Sequence, residues 1–276
     1  MPTSITDTVK LHNGVEMPWL GFGVFQMDPG PVTQNSVEKA LEVGYLHVDT
    51  ASVYANEKEV GAALKASGIP RSEIFVTTKI WITEMGYDST LKAFEESQQL
   101  LDVDYVDLYL VHWPANGKYI ETWKALEKLY RDGVVKAIGI SNFMVYQMQA
   151  VLDACEIKPM VNQCEYHPIY QRREIHKYCK ENQIQFEAWA PLQQGRALDI
   201  PDVVEIAAKH GKSPAQVLLR WDLQNEVVTI PKSITPSRII ANSQIYDFEL
   251  SDEEMARINS LNEEKHTLDY PPDCGY

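Results

Sequence analysis

The sequence predicts an α/β protein built as a (β/α)₈ TIM barrel, and three observations support this fold. Eight short runs rich in β-branched or aromatic residues recur along the chain, stretches of helical period separate them, and most runs end in a residue able to bind or react. This alternation is typical of parallel barrels, whose active sites gather at the C-terminal ends of the strands. The runs are WLGFG, YLHVD, FVTTK, VDLYLVH, AIGIS, VNQCEY, QFEAWAP and VVTIPKS, and their polar or aromatic residues are Asp49, Lys79, His112, Ser141, Gln163, Trp189 and Lys232.

The segments outside the runs predict the remaining elements. An Asn-Gly pair at residues 13–14 separates two short alternating runs, which predicts a β-hairpin that could cover the N-terminal end of the barrel. A Ser-Pro pair at residues 213–214 predicts a helix start, and Ser251 with Glu254 forms a capping box before a last helix. We therefore expect one domain over residues 1–276, a barrel with an N-terminal β-hairpin and extra C-terminal helices.

Length and composition agree with one barrel. The chain has 276 residues, close to the roughly 250 of a typical barrel, and its apolar and charged fractions of 45% and 23% are ordinary for a globular protein. No apolar run approaches the roughly 20 residues that span a bilayer. The N-terminal segment MPTSITDTVK has no apolar signal core, so we expect a cytoplasmic protein.

The charge balance argues against two classes of partner. Lys and Arg number 25 against 39 Asp and Glu, which gives a net charge of −14. This charge repels nucleic acid and anionic membranes, so an anionic ligand would need a local positive cluster. The four cysteines lack CxxC spacing and are expected to be reduced.

Four residues around the second, third and fourth runs suggest proton-transfer chemistry. Asp49, Lys79 and His112 end those runs, and Tyr54 lies five residues after Asp49. A phenol has a pKa near ~10, which a nearby ammonium lowers, and a carboxylate holds that ammonium in place. We expect Tyr54 to act as general acid toward a carbonyl, with His112 donating a hydrogen bond to the substrate oxygen. Taken separately, each has a plainer interpretation: Asp49 and Lys79 as a structural ion pair, Tyr54 as a loop aromatic residue and His112 as a hydrogen-bonded core histidine.

The last run and the segment after it, IPKSITPSRIIAN, predict an anion site. A Thr-Pro pair at residues 235–236 predicts a helix start, and Lys232, Ser233 and Arg238 lie close to it in sequence. Barrels bind phosphate with the loops after their last two strands and a helix N-terminus. A Rossmann site is not expected, because the GFG at residues 21–23 lacks a third glycine.

Motifs over nearly the whole chain resemble those of the aldo-keto reductase family. They are DTASVYANEKEVG, YVDLYLVHWP, AIGISNF, MVNQCEYHP, AWAPL and IPKSITPSRIIAN. The length and the EAWAPLQQG pattern resemble bacterial and trypanosomatid members, among them glyoxal or methylglyoxal reductases, 2,5-diketo-gluconate reductases and prostaglandin F synthase. The resemblance implies metal-free hydride transfer from NADPH to aldehydes, 2-oxoaldehydes and activated ketones.

The resemblance also implies the role of each site residue. The catalytic tetrad is Asp49, Tyr54, Lys79 and His112, with Tyr54 as proton donor. The substrate pocket adds three aromatic walls, Phe25, Trp81 and Trp113. The implied cofactor contacts are Gly23 and Asp49; Ser141, Asn142 and Gln163 on the nicotinamide carboxamide; Trp189 on the nicotinamide face; Leu192 in the pyrophosphate loop; Lys232, Ser233 and Arg238 on the 2′-phosphate; and Asn242 near adenine.

Three positions depart from the family pattern. Val24 stands where many relatives carry Thr, Ala190 replaces a common Ser, and Ala241 replaces a frequent acidic residue. All three positions are near the cofactor in relatives. We expect these departures to alter cofactor affinity rather than the binding mode.

Other functions are also compatible with parts of the sequence. Lys79 could be the nucleophile of a Schiff-base aldolase on the same scaffold, and the barrel could be a redox-sensing NADPH-binding module. A metal site is not expected, because Glu165, His167, His176 and Cys179 lack compact zinc-ligand spacing. The expected partner is a small carbonyl compound, and the expected oligomeric state is a monomer.

Overall fold

The central feature of the computed structural model, which describes residues 1–271 and Cys274, is a barrel of eight parallel strands. Strands β1 Thr8–Lys10 and β2 Glu16–Pro18 form a separate antiparallel hairpin. The barrel strands are β3 Phe22–Gly23, β4 His47–Asp49, β5 Phe75–Ile80, β6 Val106–Val111, β7 Val135–Ser141, β8 Val161–Glu165, β9 Gln185–Trp189 and β10 Val228–Thr229. From β3 to β10, each strand pairs with the next one along the chain. The predicted (β/α)₈ fold is confirmed.

The barrel closes between its first and last strands. Leu20 pairs in parallel with Thr229, and the Gly21 amide donates a hydrogen bond of 2.9 Å to the Thr229 carbonyl oxygen. The chain passes close to its neighbours here, since a Cβ on Gly21 would lie 2.8 Å from Cγ2 of Ile230, which follows β10, and 2.6 Å from Nδ1 of His47. Glycine at this position therefore allows the two ends of the sheet to meet.

Helices surround the barrel. They are α1 Pro31–Val43, α2 Glu57–Ala66, α3 Tyr87–Leu101, α4 Tyr119–Arg131, α5 Val145–Ala154, α6 Arg173–Glu181, α7 Pro201–His210, α8 Pro214–Gln224, α9 Pro236–Ser243 and α10 Asp252–Asn259. The predicted caps are present at Ser213 and Ser251, whose hydroxyls each accept a 3.3 Å hydrogen bond from the third helical amide. One additional helix, α7, precedes the last strand, whereas α10 follows it as predicted.

The N-terminal hairpin of β1 and β2 covers the N-terminal end of the barrel, as predicted. Asn13 Nδ2 donates a hydrogen bond of 3.0 Å to the Lys136 carbonyl oxygen at the start of β7. His12 Nε2 lies 3.2 Å from the carbonyl oxygen of Pro159, just before β8. With this end covered, the opposite end is available for a ligand.

All residues of β4, β5, β6 and β8 are buried. Strands buried on both faces are expected to be apolar, so charged or amide side chains among them need hydrogen-bond partners. Asp49, Lys79 and Gln163 are such residues. Within residues 1–271, no helix is both long and apolar enough to cross a membrane.

Candidate active site

The C-terminal ends of three neighbouring strands bring Asp49, Lys79 and His112 together. Asp49 ends β4, Lys79 lies one residue before the end of β5, and His112 directly follows β6. Lys79 Nζ donates hydrogen bonds of 2.6 Å to Asp49 Oδ1 and 2.8 Å to the Thr50 carbonyl oxygen. Nζ also lies 5.1 Å from the centre of the Tyr54 ring. The carboxylate, ammonium and phenol therefore lie in the order that the sequence predicted.

Lys79 and Asp49 form a fully buried ion pair. Burial acts to lower the pKa of Lys79, but the nearby Asp49 and Tyr54 raise it above its usual value. Burial raises the pKa of Asp49, while Lys79 and Gln163 act to lower it. A raised lysine pKa requires a negative neighbour, so we take both groups as charged at neutral pH. The pair places a fixed positive charge beneath Tyr54.

Tyr54 ends a 3₁₀ turn, Ser52–Tyr54, directly after β4. Its hydroxyl lies 3.5 Å from Nε2 of His112, and its ring lies 5.0 Å from that of Phe25. Burial raises the pKa of Tyr54 to about 12, although Lys79 acts in the opposite direction. Lys79 thus lowers the pKa of Tyr54, as expected, but in the free protein the loss of hydration outweighs this attraction. The phenol is consequently protonated at neutral pH.

His112 is a neutral side chain. Burial and then the charge of Lys79 hold the pKa of His112 well below its usual value. Within the described residues, Nδ1 of His112 has no hydrogen-bond partner, whereas Nε2 faces the Tyr54 hydroxyl. A proton on Nδ1 would have no acceptor, so we assign the proton to Nε2. In this tautomer the Nε2–H points toward the same space that the Tyr54 hydroxyl borders.

Ser141, Asn142 and Trp189 form a second group beside the tetrad. Asn142 Nδ2 donates a 3.0 Å hydrogen bond to the His112 carbonyl oxygen, and its Oδ1 accepts a 2.8 Å bond from Trp189 Nε1. Asn142 has a positive φ of 65°, an uncommon conformation that asparagine tolerates better than most residues. Ser141 donates a 2.8 Å hydrogen bond to the Gln163 carbonyl oxygen. These contacts fix the half-buried Trp189 ring beside the tetrad.

Gln163 connects the tetrad to a carboxyl group that the sequence patterns did not reveal. Its Nε2 donates hydrogen bonds of 2.9 Å to Asp49 Oδ2 and 2.9 Å to Oε2 of Glu187. Glu187 lies in the middle of β9 and is fully buried. A charged residue between apolar Phe186 and Ala188 in a predicted strand was a signal that could have identified it.

The predicted phosphate-binding residues lie between β10 and the N-terminal half of α9. Lys232 and Arg238 are exposed, Ser233 is half-buried, and neither cation forms an ion pair with the rest of the described chain. Thr235 immediately precedes α9, as predicted. Unpaired cations at a helix N-terminus suit an anion. Of the other predicted cofactor residues, Asn242 is buried in α9, Leu192 lies in the loop after β9, and the Gly23 amide donates to the Pro231 carbonyl oxygen.

The loop after β9 has an unusual backbone. Ala190, Gln193 and Gln194 all have positive φ values of 50–54°, and Gly195 has 92°. Gln194 Nε2 reaches Oε1 of Gln26, in the loop after β3, at 3.4 Å. Non-glycine residues in this region are costly and cluster at functional sites. Ala190, one departure from the family pattern, is among these residues.

Aromatic side chains surround the space bordered by Tyr54 and His112. Phe25 is 43% exposed beside Tyr54, and the ring of Trp81 lies 5.1 Å from that of His112. Trp113 is buried, with its ring centre 4.9 Å from that of Tyr270. All three predicted aromatic residues thus lie at the same rim as the tetrad.

Tyr270 belongs to the C-terminal tail, and no sequence pattern identified it as a site residue. Its ring lies next to both Trp113 and Trp189, with a centre-to-centre distance of 6.4 Å to Trp189. Its hydroxyl donates a 2.7 Å hydrogen bond to Glu165 Oε2, and the Thr267 amide donates a 2.7 Å bond to Oε1 of the same carboxylate. Glu165 at the end of β8 thus holds the C-terminal tail beside the pocket by accepting these two hydrogen bonds.

The comparisons with known proteins agree on one family. The family model for the aldo/keto reductase family matches residues 20–263. The glyoxal reductase of Bacillus subtilis is 54% identical over 96% of this chain and 96% of its own length. The chain belongs to the aldo/keto reductase family. The resemblance found in the sequence motifs is therefore confirmed.

Other aldo/keto reductases extend this comparison. The methylglyoxal reductase DkgA of Escherichia coli is 41% identical, with 97% of this chain and 98% of that protein covered. The crystal structure of a Gox0644 mutant in complex with NADPH superposes with a TM-score of 0.90 at 41% identity, covering 96% of both chains. As an aldo/keto reductase, the protein is an oxidoreductase, and the expectation of NADP(H) is confirmed for the family to which it belongs.

Proposed function

We propose that this aldo/keto reductase uses NADPH to reduce aldehydes, 2-oxoaldehydes and activated ketones to alcohols, with Tyr54 as the proton donor. The observation that carries the proposal is the position of the Tyr54 hydroxyl, 3.5 Å from His112 Nε2 and next to the buried Lys79–Asp49 pair. Two of the similar proteins named above, a glyoxal reductase and a methylglyoxal reductase, support this substrate class.

The geometry supplies two hydrogen-bond donors to one carbonyl oxygen. An oxygen bound next to both Tyr54 and His112 accepts from the phenol O–H and from the Nε2–H of the neutral imidazole. Bound NADPH would supply hydride to the carbonyl carbon. Tyr54 transfers its proton to the oxygen, and the adjacent Lys79 ammonium stabilises the negative charge left on the phenol. By stabilising the phenolate, Lys79 holds the pKa of Tyr54 below the value that burial alone would give it.

The residues at both ends of the site fit a nicotinamide cofactor. Trp189 offers a half-buried aromatic face, and Gln163 Oε1 accepts no hydrogen bond from the described residues, so it is available to an amide donor. Lys232 and Arg238 offer positive charges that no described carboxylate pairs with, which suits a 2′-phosphate. We assign the remaining predicted contacts, Ser141, Asn142, Leu192, Ser233 and Asn242, to the cofactor on the same basis.

The aldolase alternative is disfavoured by the state of Lys79. A Schiff-base lysine needs a neutral amine that the substrate can reach. Lys79 is fully buried, its pKa is raised, and Asp49 and Thr50 accept two of its hydrogen bonds. The same contacts suit an ammonium that acts through space on Tyr54.

The proposal is tested by following NADPH oxidation with methylglyoxal, aromatic aldehydes and keto sugars. We expect Tyr54→Phe to lose nearly all turnover while NADPH binding, measured by fluorescence titration, survives. Tyr178→Phe is the matched control, since its hydroxyl bonds to exposed Gln149 outside the site. Equal turnover of Tyr54→Phe and the wild type would exclude Tyr54 as proton donor, and absence of turnover in the wild type would favour the redox-sensing alternative.

We propose further that the protein works as a cytoplasmic monomer. The tetrad, the aromatic wall and the candidate cofactor residues all come from one chain. Light scattering coupled to gel filtration should give a mass close to 31.4 kDa, and a dimer mass would contradict the proposal.

A further inference from the structure

Glu187 is a buried carboxyl group that accepts one hydrogen bond from the part of the chain that the structure describes. Its Oε2 accepts a 2.9 Å bond from Gln163 Nε2, whereas Oε1 has no hydrogen bond within the described residues and lies 3.8 Å from Nε2 of His47. Burying a carboxyl group is costly unless several donors compensate it. A purely structural explanation for Glu187 is therefore weak. The hydrogen bond that Glu187 does accept comes from Gln163, a predicted cofactor residue.

Gln163 is held in one amide orientation by two carboxyl groups. The two N–H bonds of its Nε2 are directed to Asp49 Oδ2 and to Glu187 Oε2, both at 2.9 Å. Turning the amide by 180° would place its oxygen against the ionised Asp49 carboxylate, with no proton between the two oxygens. The present orientation leaves Oε1 as the free, accepting end of the side chain.

We propose that Glu187 is a positioning residue for the cofactor: together with Asp49 it fixes the Gln163 amide so that Oε1 accepts a hydrogen bond from the nicotinamide carboxamide. This inference rests on the proposed function, in which Gln163 contacts that carboxamide. Asp49 uses its other oxygen, Oδ1, for Lys79 at 2.6 Å. The same aspartate thus takes part in proton donation and in cofactor orientation, and Glu187 supplies the second acceptor that Asp49 alone lacks.

The proposal predicts different effects for two substitutions. Glu187→Gln keeps an acceptor oxygen at the same distance, so NADP⁺ affinity should stay within about twofold of the wild type. Glu187→Met has a similar shape but no acceptor, so one N–H of Gln163 is left unpaired. We expect NADP⁺ to bind about tenfold more weakly to this variant, the lower part of the range for an unsatisfied buried donor. Asp222→Asn, which alters a buried carboxyl group bonded to Thr229, is the matched control.

Calorimetric titration with three ligands separates this role from general damage. NADP⁺ has the carboxamide, its 3-acetylpyridine analogue has a methyl group in place of the carboxamide nitrogen, and adenosine 2′,5′-bisphosphate has no nicotinamide. The wild type and Glu187→Gln should prefer NADP⁺ to the analogue by about tenfold, as expected for one buried hydrogen bond. In Glu187→Met this preference should fall below about threefold, whereas adenosine 2′,5′-bisphosphate should bind all variants equally.

The outcomes distinguish the positioning role from the proposed function. Unchanged preference for NADP⁺ in Glu187→Met, or equal weakening of all three ligands, overturns the role of Glu187 alone. Failure of the wild type to bind NADP⁺ overturns the proposed function, and binding without preference over the analogue overturns the Gln163 contact. Where Glu187→Met does not fold, Glu187→Asp replaces it, because this change keeps a carboxyl group but withdraws it from Gln163; the same outcomes then apply.

Discussion

The ionisation of Glu187 makes the stability of this protein depend on pH in a direction opposite to that of a paired carboxylate. Burial, and then the negative charge of Asp49, raise the pKa of Glu187 from 4.5 to about 8. The folded protein therefore holds the proton of Glu187 more tightly than the unfolded chain does. The contribution of protonated Glu187 to the free energy of unfolding is fully present below pH 4.5 and is lost as pH rises toward 8. At about 1.4 kcal/mol per pKa unit, the loss between pH 5 and pH 9 is about 4 kcal/mol.

Replacing Glu187 by Gln should remove this dependence. We expect the free energy of unfolding of Glu187→Gln to exceed that of the wild type by several kcal/mol at pH 9 and to approach it at pH 5. His47 faces Glu187 but does not titrate in this range when folded, because burial lowers its pKa to about 3. Asp49 and Lys79 are present in both proteins. Urea unfolding followed by tryptophan fluorescence at pH 5, 7 and 9 provides the measurement, and a constant difference between the two proteins would refute the reasoning.

Three further predictions concern the site. Lys79→Met should lower turnover by at least about 10²-fold and the free energy of unfolding by about 3–5 kcal/mol, since Asp49 loses its buried partner; kinetics and urea unfolding that match the wild type would exclude a role of Lys79 in proton donation by Tyr54. Arg238→Ala should weaken NADPH roughly tenfold or more but leave NADH nearly unchanged in fluorescence titrations; equal weakening would remove the 2′-phosphate assignment. Tyr270→Phe keeps the ring but loses the hydrogen bond to Glu165, so the KM for methylglyoxal should rise several-fold with little change in kcat; an unchanged KM would place the tail outside the pocket.

Local sequence patterns predicted most of the barrel and part of its rim. Asp49, Lys79 and His112 stand at or next to the ends of apolar runs, and in a parallel barrel those ends converge, so their proximity followed from the fold class. The position of α7 was not predicted, because helical period alone does not show whether an extra helix precedes or follows the last strand. The family resemblance, rather than the period, supplied the identity of the cofactor.

Three features of the site depend on burial or on contacts between distant residues, which local sequence patterns do not reveal. The pKa of Tyr54 reflects competition between lost hydration and attraction to Lys79, and its direction was decided by the depth of burial. Tyr270 reaches Glu165 across about 100 residues of chain, a pairing for which neither residue has a local signal. Glu187 was accessible to sequence reasoning as a charge within an apolar strand, but its partner Gln163 was visible only in three dimensions.

The pairing of Leu20 with Thr229 has a consequence for synthesis on the ribosome. The first strand of the barrel cannot pair with the last one until roughly 200 further residues have been synthesised. At about 5–20 residues per second this takes on the order of ten to forty seconds. During this time the growing sheet has open edges, which are prone to pair with other chains. Conditions that slow translation or deplete chaperones should therefore reduce the soluble yield of this protein more than they reduce its activity per folded molecule.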